Sequence, residues 1–406
     1  MATKFKNIIG LTLCLITFAI TINSCCGEGQ QKRNLTIVVS LDAFRWDYPT
    51  IYNTPWLDSI AANGVAATMV PSYPSSTFPN HFTLATGLVP DHHGIVNSQF
   101  WAPEKGELFS MGDSATRYNP YYFGGEPIWV TAKKQGVKSA SIYWVGSDVA
   151  IQGLYPDYYL RWDNEPRLTY PQRVEEALRI AKLPESERPS LLMVYFDEPD
   201  WTTHHYGPIA QESEAVIEEL DSLMGILYRG LKELDYGVNL IVTSDHGMTE
   251  ISDEKFISIE QSVNPDWVER IVSTNPTTIF CKEGCRDSLF EQLSKVKHIS
   301  VWRKEEVPAH LNYGTSNHLG DLIVAPDLGW QFATTPRGLK GAHGYDINEP
   351  DMQIIFRACG PDFKLGYTLP HSFSNVDLYS ILAELLKIEP AKTDGSLEKV
   401  QELFSK

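Results

Sequence analysis

Three apolar runs that each end in acidic residues constrain this chain more than any other sequence feature. Each run has the length and the β-favouring composition of a strand that is buried on both faces, which is typical of a parallel sheet. The runs, with the polar residues that follow them, are 35–40 with Asp42, 191–196 with Asp200, and 238–243 with Asp245 and His246. Because ligands bind beyond the carboxyl ends of the strands in open α/β sheets, these side chains are predicted to meet at one edge.

Helical patterns alternate with the strand patterns along the chain. Helices are predicted over 54–63, 170–183, 211–234 and 374–388. The prediction rests on residues typical of helix starts and ends or on apolar residues at helical spacing. This alternation predicts an α/β fold with a mainly parallel central sheet covered by helices on both faces. The patterns between 251 and 337 are less regular, and we interpret that stretch as a small inserted subdomain.

The first 25 residues have the pattern of a secretory signal, with a short basic start and an apolar run that is short for a membrane-spanning helix. The run ends in INSC, which resembles a bacterial lipobox with Cys25 as the lipidated residue. We therefore expect a signal over 1–25, a tether over 26–34, and a catalytic domain over 35–406 that is anchored outside the cytoplasm, in the periplasm or cell envelope. Ordinary secretion after cleavage near Ser24 is the alternative.

The charge and the cysteines limit the partners and the compartment. The net charge of −17 at pH 7 predicts that a nucleic acid polymer is repelled, and that a small anionic substrate needs local attraction, for example from bound cations. The only membrane contact that we expect is the lipid anchor.

Cys281 and Cys285 could close a small disulfide in an oxidising compartment, but their spacing does not decide it. The sequence leaves the oligomeric state open.

Histidines at positions 204, 246 and 343 complete a possible metal site with the three acids. Three carboxylates and three imidazoles are too many for one tetrahedral zinc ion, and they divide naturally between two. Mixed Asp and His ligands suit Zn²⁺, while Mn²⁺ and Fe²⁺ stay open on ligand type alone. Two metal ions about 4 Å apart stabilise the attacking and leaving oxygens of an in-line phosphoryl displacement.

Thr77 is the candidate nucleophile. Pro79 suits the first turn of a helix that runs to Thr86 and ends at Gly87. The Thr77 hydroxyl then lies at the positive end of that helix, where an anion is stabilised. An N-cap threonine explains the same local sequence, and the two roles do not exclude each other.

Six motifs occur in an order that resembles a known family. They are LDAFRWD, YPSSTFPNHFTLATGLVPDHHGI, GEPIWVTAKKQG, EPDWTTHHYGP, VTSDHGM and GAHGYDINEPDMQIIF. Together they resemble the nucleotide pyrophosphatase/phosphodiesterase family of the alkaline phosphatase superfamily, over about 35–361 and most weakly over 251–339. The resemblance implies an alkaline-phosphatase-like fold and hydrolysis of a phosphodiester or pyrophosphate bond in a small phosphate ester such as a nucleotide.

The resemblance also implies a role for each site residue. It places two zinc ions on two ligand sets, the first Asp200, His204 and His343, and the second Asp42, Thr77, Asp245 and His246. It makes Thr77 the nucleophile, which is activated by coordination to zinc and forms a covalent phospho-threonine.

The substrate contacts depart from the family in one position. The family has an asparagine that donates to a phosphate oxygen, but that register falls on Ser98 here, with Asn97 one place earlier. We assign the donor role to Asn97. Phe78 is similar to the stacking residue of the family and Tyr159 to its second aromatic wall, and Trp144 is a further candidate for the same pocket.

Two other functions are compatible with these residues. A phosphomonoesterase, phosphonate hydrolase or phospholipid-headgroup hydrolase of the same superfamily would keep the metals, although a monoesterase needs added cationic groups that no motif supplies. A surface binding protein that has lost catalysis would be expected to lose at least one ligand, and all six are present.

Overall fold

The apolar runs form the middle of a nine-stranded sheet in the computed structural model, which describes residues 33–405. The predicted signal, Cys25 and the tether up to residue 32 lie outside the described residues. The strands are β1 Leu35–Asp42, β2 Gly64–Val70, β3 Gln99–Ala102, β4 Glu107–Ser110, β5 Ser139–Ile142, β6 Tyr158–Leu160, β7 Leu191–Pro199, β8 Val238–Thr243, β9 Thr249–Glu250, β10 Phe256–Ile257, β11 Val268–Val272, β12 Thr277–Cys281, β13 Ile299–Arg303, β14 Leu322–Pro326, β15 Gln331–Phe332, β16 Gly341–Ala342, β17 Ile354–Cys359, β18 Tyr367–Thr368 and β19 Phe373–Ser374.

Helices occur between most of these strands. They are α1 Tyr48–Ile51, α2 Pro55–Ala62, α3 Thr77–Thr86, α4 Pro90–His93, α5 Ser114–Arg117, α6 Ile128–Lys134, α7 Tyr170–Ala181, α8 Asp200–Tyr206, α9 Gln211–Lys232, α10 Ile259–Ser262, α11 Arg286–Leu293 and α12 Asp377–Leu386. The helices predicted over 54–63, 170–183, 211–234 and 374–388 correspond to α2, α7, α9 and α12, and the helix predicted to run to Thr86 corresponds to α3. None of the helices within residues 33–405 has both the length and the apolar character that crossing a bilayer requires.

The central sheet is mainly parallel, as predicted. Its order is β18-β2-β17-β8-β1-β7-β5-β6, with β19 also paired to β2. β17 alone in this sheet is antiparallel to its neighbours, β2 and β8. In β1, Ser40 is level with Thr243 of β8 and with Tyr195 of β7. The three strands therefore end together, and the acids that follow them reach the same edge.

Both faces of the sheet are buried, which explains why its strands are continuously apolar. Along β1, Val38 belongs to the core that α3, α6 and α12 cover, while its neighbours Ile37 and Val39 belong to the core under α2, α7 and α9. This alternation is the period of two that a strand imposes. The α/β architecture predicted from the sequence is confirmed.

A second sheet lies within the stretch that was interpreted as an insertion. Strands β11, β12, β14 and β13 form an antiparallel sheet in that order, and α11 contributes Leu289 and Leu293 to a separate small core with Ile279 and Val324. We refer to residues 256–332 as the subdomain. Cys281 and Cys285 are free thiols in it.

Candidate metal centre and active site

The predicted metal ligands converge at the carboxyl edge of the central sheet. Asp42 is the last residue of β1, Asp200 begins α8 directly after β7, and Asp245 and His246 follow β8. His343 comes from the loop after β16, outside the central sheet. Four separate segments therefore supply one buried cluster of acids and imidazoles.

Short distances connect the ligands of the cluster. His246 Nε2 lies 3.3 Å from Asp42 Oδ1 and 3.2 Å from Asp245 Oδ2. Ligand atoms of Asp42, Asp245 and His246 all lie within 4.8 Å of one another, and the same holds for Asp200, His246 and His343. His246 therefore belongs to both groups, and the two candidate metal positions are adjacent.

His204 extends the second group. Its Nε2 lies 3.3 Å from Asp200 Oδ1, across one turn of α8, and its ring centroid lies 5.0 Å from that of His343. The His343 ring in turn stacks on His246 at 3.8 Å. The structure thus brings together all six predicted Asp and His ligands.

The three histidines are fixed in the tautomer that binds a metal. In each ring Nδ1 faces a backbone carbonyl, which can only accept a hydrogen bond, so Nδ1 carries the proton and Nε2 keeps its lone pair. The carbonyls are Gly341 O at 2.7 Å from His204, Gly247 O at 2.8 Å from His246, and Ser75 O at 3.0 Å from His343. Such contacts orient metal-binding histidines in proteins.

Gly341, whose carbonyl accepts from His204 Nδ1, packs so closely against α8 that only glycine fits there. A Cβ on Gly341 would lie 2.3 Å from Thr203 O, so any larger residue there would move the carbonyl away from His204. The motif around His204 indicates the histidine, but no local pattern in the sequence indicates this support.

The carboxylates of the cluster have unused acceptor atoms. Asp42 Oδ1, Asp200 Oδ1 and Asp245 Oδ2 are buried and have no hydrogen-bond partner among residues 33–405. A buried acceptor without a partner costs about 1–3 kcal/mol, and more when it is charged. All three atoms face histidine Nε2 atoms, so bound divalent cations fit the donor set.

The pKa values in the cluster follow from burial and from the charges that these groups exert on one another. Burial, with repulsion from Asp245 and Asp200, raises the pKa of Asp42 well above its usual value. Burial also raises the pKa of Asp200, but nearby histidines outweigh it and hold the pKa at about 2. For His204 burial lowers the pKa and the Asp200 carboxylate outweighs it, giving about 8. Burial lowers the pKa of His343 to about 3.

Thr77 begins α3 beside this cluster. Its Oγ1 lies 3.1 Å from His246 Nε2, and α3 ends at Gly87 with a φ of 66°, as predicted for a helix end. The Ser76 side chain makes no capping hydrogen bond, so the first N–H groups of α3 remain available to an anion.

Two buried residues, Tyr195 and His81, contact the candidate metal ligands and Thr77. The Tyr195 hydroxyl donates to Asp42 Oδ2 at 2.5 Å. His81 Nδ1 lies 3.0 Å from Thr77 O and 3.2 Å from Asp245 Oδ2, and His81 Nε2 lies 2.9 Å from Ser40 Oγ. The Tyr195 hydrogen bond orients the Asp42 carboxylate, and His81 contacts Thr77 O and lies beside Asp245. Neither residue was predicted.

A pocket lined largely by aromatic residues, called here the aromatic pocket, opens beside Thr77. Phe78 and Trp144, two of the candidates from the sequence, are among its lining residues. The remaining lining residues are Met111, Arg117, Phe123, Tyr143, Val145, Gly146, Asp148, Val149, Trp162 and Tyr195. The Arg117 guanidinium lies 5.7 Å from the centre of the Phe78 ring, so the pocket combines aromatic faces with a cation.

Tyr159 is not among the residues that line this pocket. Tyr159 lies in β6 and stacks on Tyr155 at 4.9 Å, whereas Trp162, three residues later, lines the pocket. Several aromatic residues occur close together here, and the strand β6 decides which of them face away.

The side chain of Asn97 is committed to other partners. Its amide nitrogen lies 3.1 Å from Thr274 Oγ1 and 3.3 Å from Asn275 O, and its oxygen accepts from Ser98 N at 2.8 Å. Ser98 Oγ instead lies 3.3 Å from the hydroxyl of Ser76, the residue before Thr77. The structure therefore does not support Asn97 as the phosphate donor, because both ends of its amide are used.

The fold and the site define an alkaline-phosphatase-like α/β protein with a candidate metal centre at the carboxyl edge of its sheet. A family model described as type I phosphodiesterase / nucleotide pyrophosphatase matches residues 36–346. The chain belongs to this family.

Curated relatives and solved structures agree with this assignment. Human ectonucleotide pyrophosphatase/phosphodiesterase family member 5 is 32% identical over 415 residues, which cover 100% of this chain and 84% of the relative. Human family member 1 is 33% identical over 387 residues, which cover 89% of this chain but 41% of the relative, so the chain spans about two fifths of that protein.

The solved structure of murine family member 5 has a TM-score of 0.86 and 32% identity, covering 92% of this chain and 100% of that one. It is an inactive threonine-to-alanine variant in complex with AMP. The human member 5 structure gives the same TM-score and identity.

Proposed function

We propose that this protein is a two-zinc phosphodiesterase and nucleotide pyrophosphatase that works through a covalent phospho-threonine. The observation that carries the proposal is the hydroxyl of Thr77, which lies at the N-terminus of α3 and 3.1 Å from His246 Nε2, at the border of the six-ligand cluster. A nucleophile in this position is next to both the cations and the helix dipole that stabilise a phosphoryl group.

The six ligands and Thr77 would hold two zinc ions. One would bind Asp200, His204 and His343, and the other Asp42, Asp245, His246 and Thr77. When bound, the two ions lower the pKa of the threonine hydroxyl and stabilise negative charge on the phosphoryl and leaving oxygens. The unpartnered carboxylate oxygens and the fixed Nε2 atoms support this assignment.

The reaction has two in-line steps. Thr77 Oγ1 forms a bond to phosphorus while the bond to the leaving oxygen breaks, its electron pair stays on that oxygen, and the hydroxyl proton passes to solvent. Water then attacks the phosphorus of phospho-threonine, the bond to Thr77 Oγ1 breaks, and Thr77 regains a proton. Positioning and electrostatics supply most of the rate enhancement in such transfers.

We assign the donor to the non-bridging phosphate oxygen to Ser98 together with the first N–H groups of α3. The Ser98 hydroxyl lies next to Ser76 at the start of α3, whereas Asn97 is bound to Thr274 and Asn275. Replacing Ser98 by Ala should therefore lower kcat more than replacing Asn97 by Asp, which keeps an oxygen that can accept from Ser98 N.

The pocket beside Thr77 would receive the organic group of the ester, such as a nucleobase. Phe78 and Trp162 offer aromatic faces, and base stacking on such faces is tolerant of base identity. The AMP bound to the murine relative supports a nucleotide as the substrate.

The proposal includes a location outside the cytoplasm, with a lipid anchor at Cys25. Labelling of growing cells with a radioactive or clickable fatty acid should mark the protein, and Cys25→Ser should remove the label. A labelled Cys25→Ser variant would contradict the anchor.

The decisive test compares the p-nitrophenyl ester of thymidine monophosphate with p-nitrophenyl phosphate. We expect the purified protein to prefer the diester, to lose turnover in EDTA, and to regain it with Zn²⁺. Preference for the monoester would indicate a phosphomonoesterase, and zinc binding without turnover of either ester would indicate a binding protein; both results would overturn the proposal.

A further inference from the structure

His81 is a fully buried residue of α3 that lies one helical turn after Thr77. It is not one of the six candidate metal ligands. A buried imidazole needs a partner for each of its two ring nitrogens. Both nitrogens of His81 have one, and the two partners belong to different elements of the fold.

The Nδ1 atom of His81 faces the candidate nucleophile. It lies 3.0 Å from Thr77 O, which can only accept a hydrogen bond, so Nδ1 carries a proton and donates to that carbonyl. Asp245 Oδ2 lies 3.2 Å from the same nitrogen. The first turn of α3 is therefore held by the His81 ring at the border of the metal cluster.

The Nε2 atom of His81 faces the strand that carries Asp42. It lies 2.9 Å from Oγ of Ser40, which precedes Asp42 by two residues in β1. Since Nδ1 carries the proton, the Ser40 hydroxyl donates to Nε2. Ser40 is buried, so no solvent competes for this hydroxyl. One side chain thus connects the backbone of Thr77 to the end of β1.

Two aromatic rings pack against the His81 ring. Tyr195 and Trp144 lie edge to face with it, at centroid distances of 4.8 and 5.3 Å. Trp144 Nε1 also donates to His81 O at 3.1 Å. These contacts hold the imidazole in one orientation, with Nδ1 toward Thr77 and Nε2 toward Ser40.

We propose that His81 is a positioning residue that connects Thr77 to β1 and so fixes the attacking oxygen relative to Asp42. The proposal rests on the proposed function, because His81 acts only through Thr77 and contacts no substrate. Asp42 and Thr77 would hold the same zinc ion, so a fixed separation of their backbones keeps the hydroxyl within reach of that ion. A shift of about 1 Å in a reacting group can cost about a hundredfold in rate.

A double-mutant cycle of Ser40→Ala and His81→Asn tests this connection. The amide nitrogen of Asn takes the place of Nδ1 and can still donate to Thr77 O, but the shorter side chain does not reach Ser40. We expect each single variant to lower kcat for the p-nitrophenyl ester of thymidine monophosphate by about tenfold or more, with KM changed by less than about twofold. The double variant should be no slower than His81→Asn alone, because both changes break the same connection.

Two further measurements separate positioning from a merely structural role. If His81 only stabilised the fold, the loss of turnover would follow the loss of bound zinc, whereas positioning predicts a lower kcat at full zinc content. Urea unfolding of the zinc-free variants gives a readout that does not depend on turnover. There the two changes together should alter the unfolding equilibrium constant by less than the product of their separate effects.

The matched control is Ser139→Ala. Ser139 is a buried serine of β5 in the same sheet, and its Oγ has no hydrogen-bond partner among residues 33–405. Its replacement should leave kcat unchanged, since no connection to the nucleophile is lost.

Four results would overturn the proposal. They are an unchanged kcat in both single variants, effects of the two changes on kcat or on unfolding that simply multiply, a kcat that falls only in step with zinc content, and an equal fall in Ser139→Ala. Failure of the proposed function is distinct, because the unmodified protein would then not turn over the ester. The positioning role would fall with it, while the unfolding cycle would still show whether Ser40 and His81 are connected.

Discussion

The candidate metal cluster and the two spaces beside it are built in different ways. The strands β1, β7 and β8 lead directly to Asp42, Asp200 and Asp245, and backbone carbonyls fix the histidines. The aromatic pocket beside Thr77 is instead lined mostly by loops, and the cleft beside His204 and His343 is lined by loops and by the edge of the subdomain.

This difference separates chemistry from substrate choice. Strand ends in a buried sheet are rigid and level with one another, so they suit ligands whose positions must be fixed to within a fraction of an ångström. Loops tolerate exchange of single residues, so they suit contacts that select one substrate over another. Variants of the cluster should therefore affect every substrate, and variants of the flanking spaces should affect only some.

Replacement of Thr77 by Ala should have the largest effect. Removal of the attacking oxygen should lower kcat for all substrates by about a thousandfold or more, while the zinc content stays the same because six ligands remain. Thr77→Ser, which keeps a hydroxyl, should retain much more activity. Activity within about tenfold of the unmodified protein in Thr77→Ala would show that another group attacks phosphorus.

Replacement of Tyr195 by Phe should have the next largest effect, on zinc affinity. The ring keeps its contacts with His81 and Trp162, but Asp42 loses its 2.5 Å hydrogen bond. We expect zinc affinity, measured by competition with a chromophoric chelator, to fall about tenfold or more, as for other contacts that orient metal ligands.

Tyr143→Phe is the control for Tyr195. Tyr143 lines the same pocket, but its hydroxyl accepts from Leu168 N at 2.9 Å rather than contacting a metal ligand. Equal zinc affinities in the two variants would show that the Tyr195 hydroxyl does not support metal binding and that Tyr195 acts only as a wall of the pocket.

Replacement of Trp162 by Leu should weaken use of the nucleotide ester by about tenfold in kcat/KM, since stacking contributes about 1–3 kcal/mol per base. Zinc affinity should not change. Tyr159→Leu removes an aromatic ring that stacks on Tyr155 outside the pocket and should have a much smaller effect. A larger loss with Tyr159 than with Trp162 would restore the original assignment.

The smallest effect concerns the free energy of unfolding and its dependence on pH, through His93, which contacts α3. His93 is buried and lies 3.0 Å from Thr83 Oγ1 of α3, and burial lowers its pKa to about 3. Its pKa in the unfolded chain is about 6.5, so below that pH the unfolded state binds the proton more readily. Stability should therefore fall as the pH drops from about 6.5 towards 3.

Urea unfolding between pH 6.5 and pH 4.5 measures this dependence. One proton contributes a slope of about 1.4 kcal/mol per pH unit, and His93→Gln should show a slope that is shallower by about that amount. Identical slopes would mean that His93 does not remain neutral in the folded protein.

The sequence by itself determined the sheet and indicated the candidate metal ligands and the candidate nucleophile. Continuous apolar runs specify strands that are buried on both faces, and the carboxyl ends of parallel strands share one edge, so Asp42, Asp200 and Asp245 had to meet. The start and end of α3 were also encoded locally, by Pro79 and Gly87.

Only the tertiary structure decided the support of that site and its surroundings. Contacts between segments far apart in the chain provide most of this support. They place the Gly341 carbonyl against His204, the hydroxyl of Tyr195 against Asp42, and the partners around Asn97. They also place Trp162, and not Tyr159, in the wall of the pocket. Such contacts leave no local periodicity, because they are set by how the loops and the subdomain pack onto the sheet and not by the order of neighbouring residues.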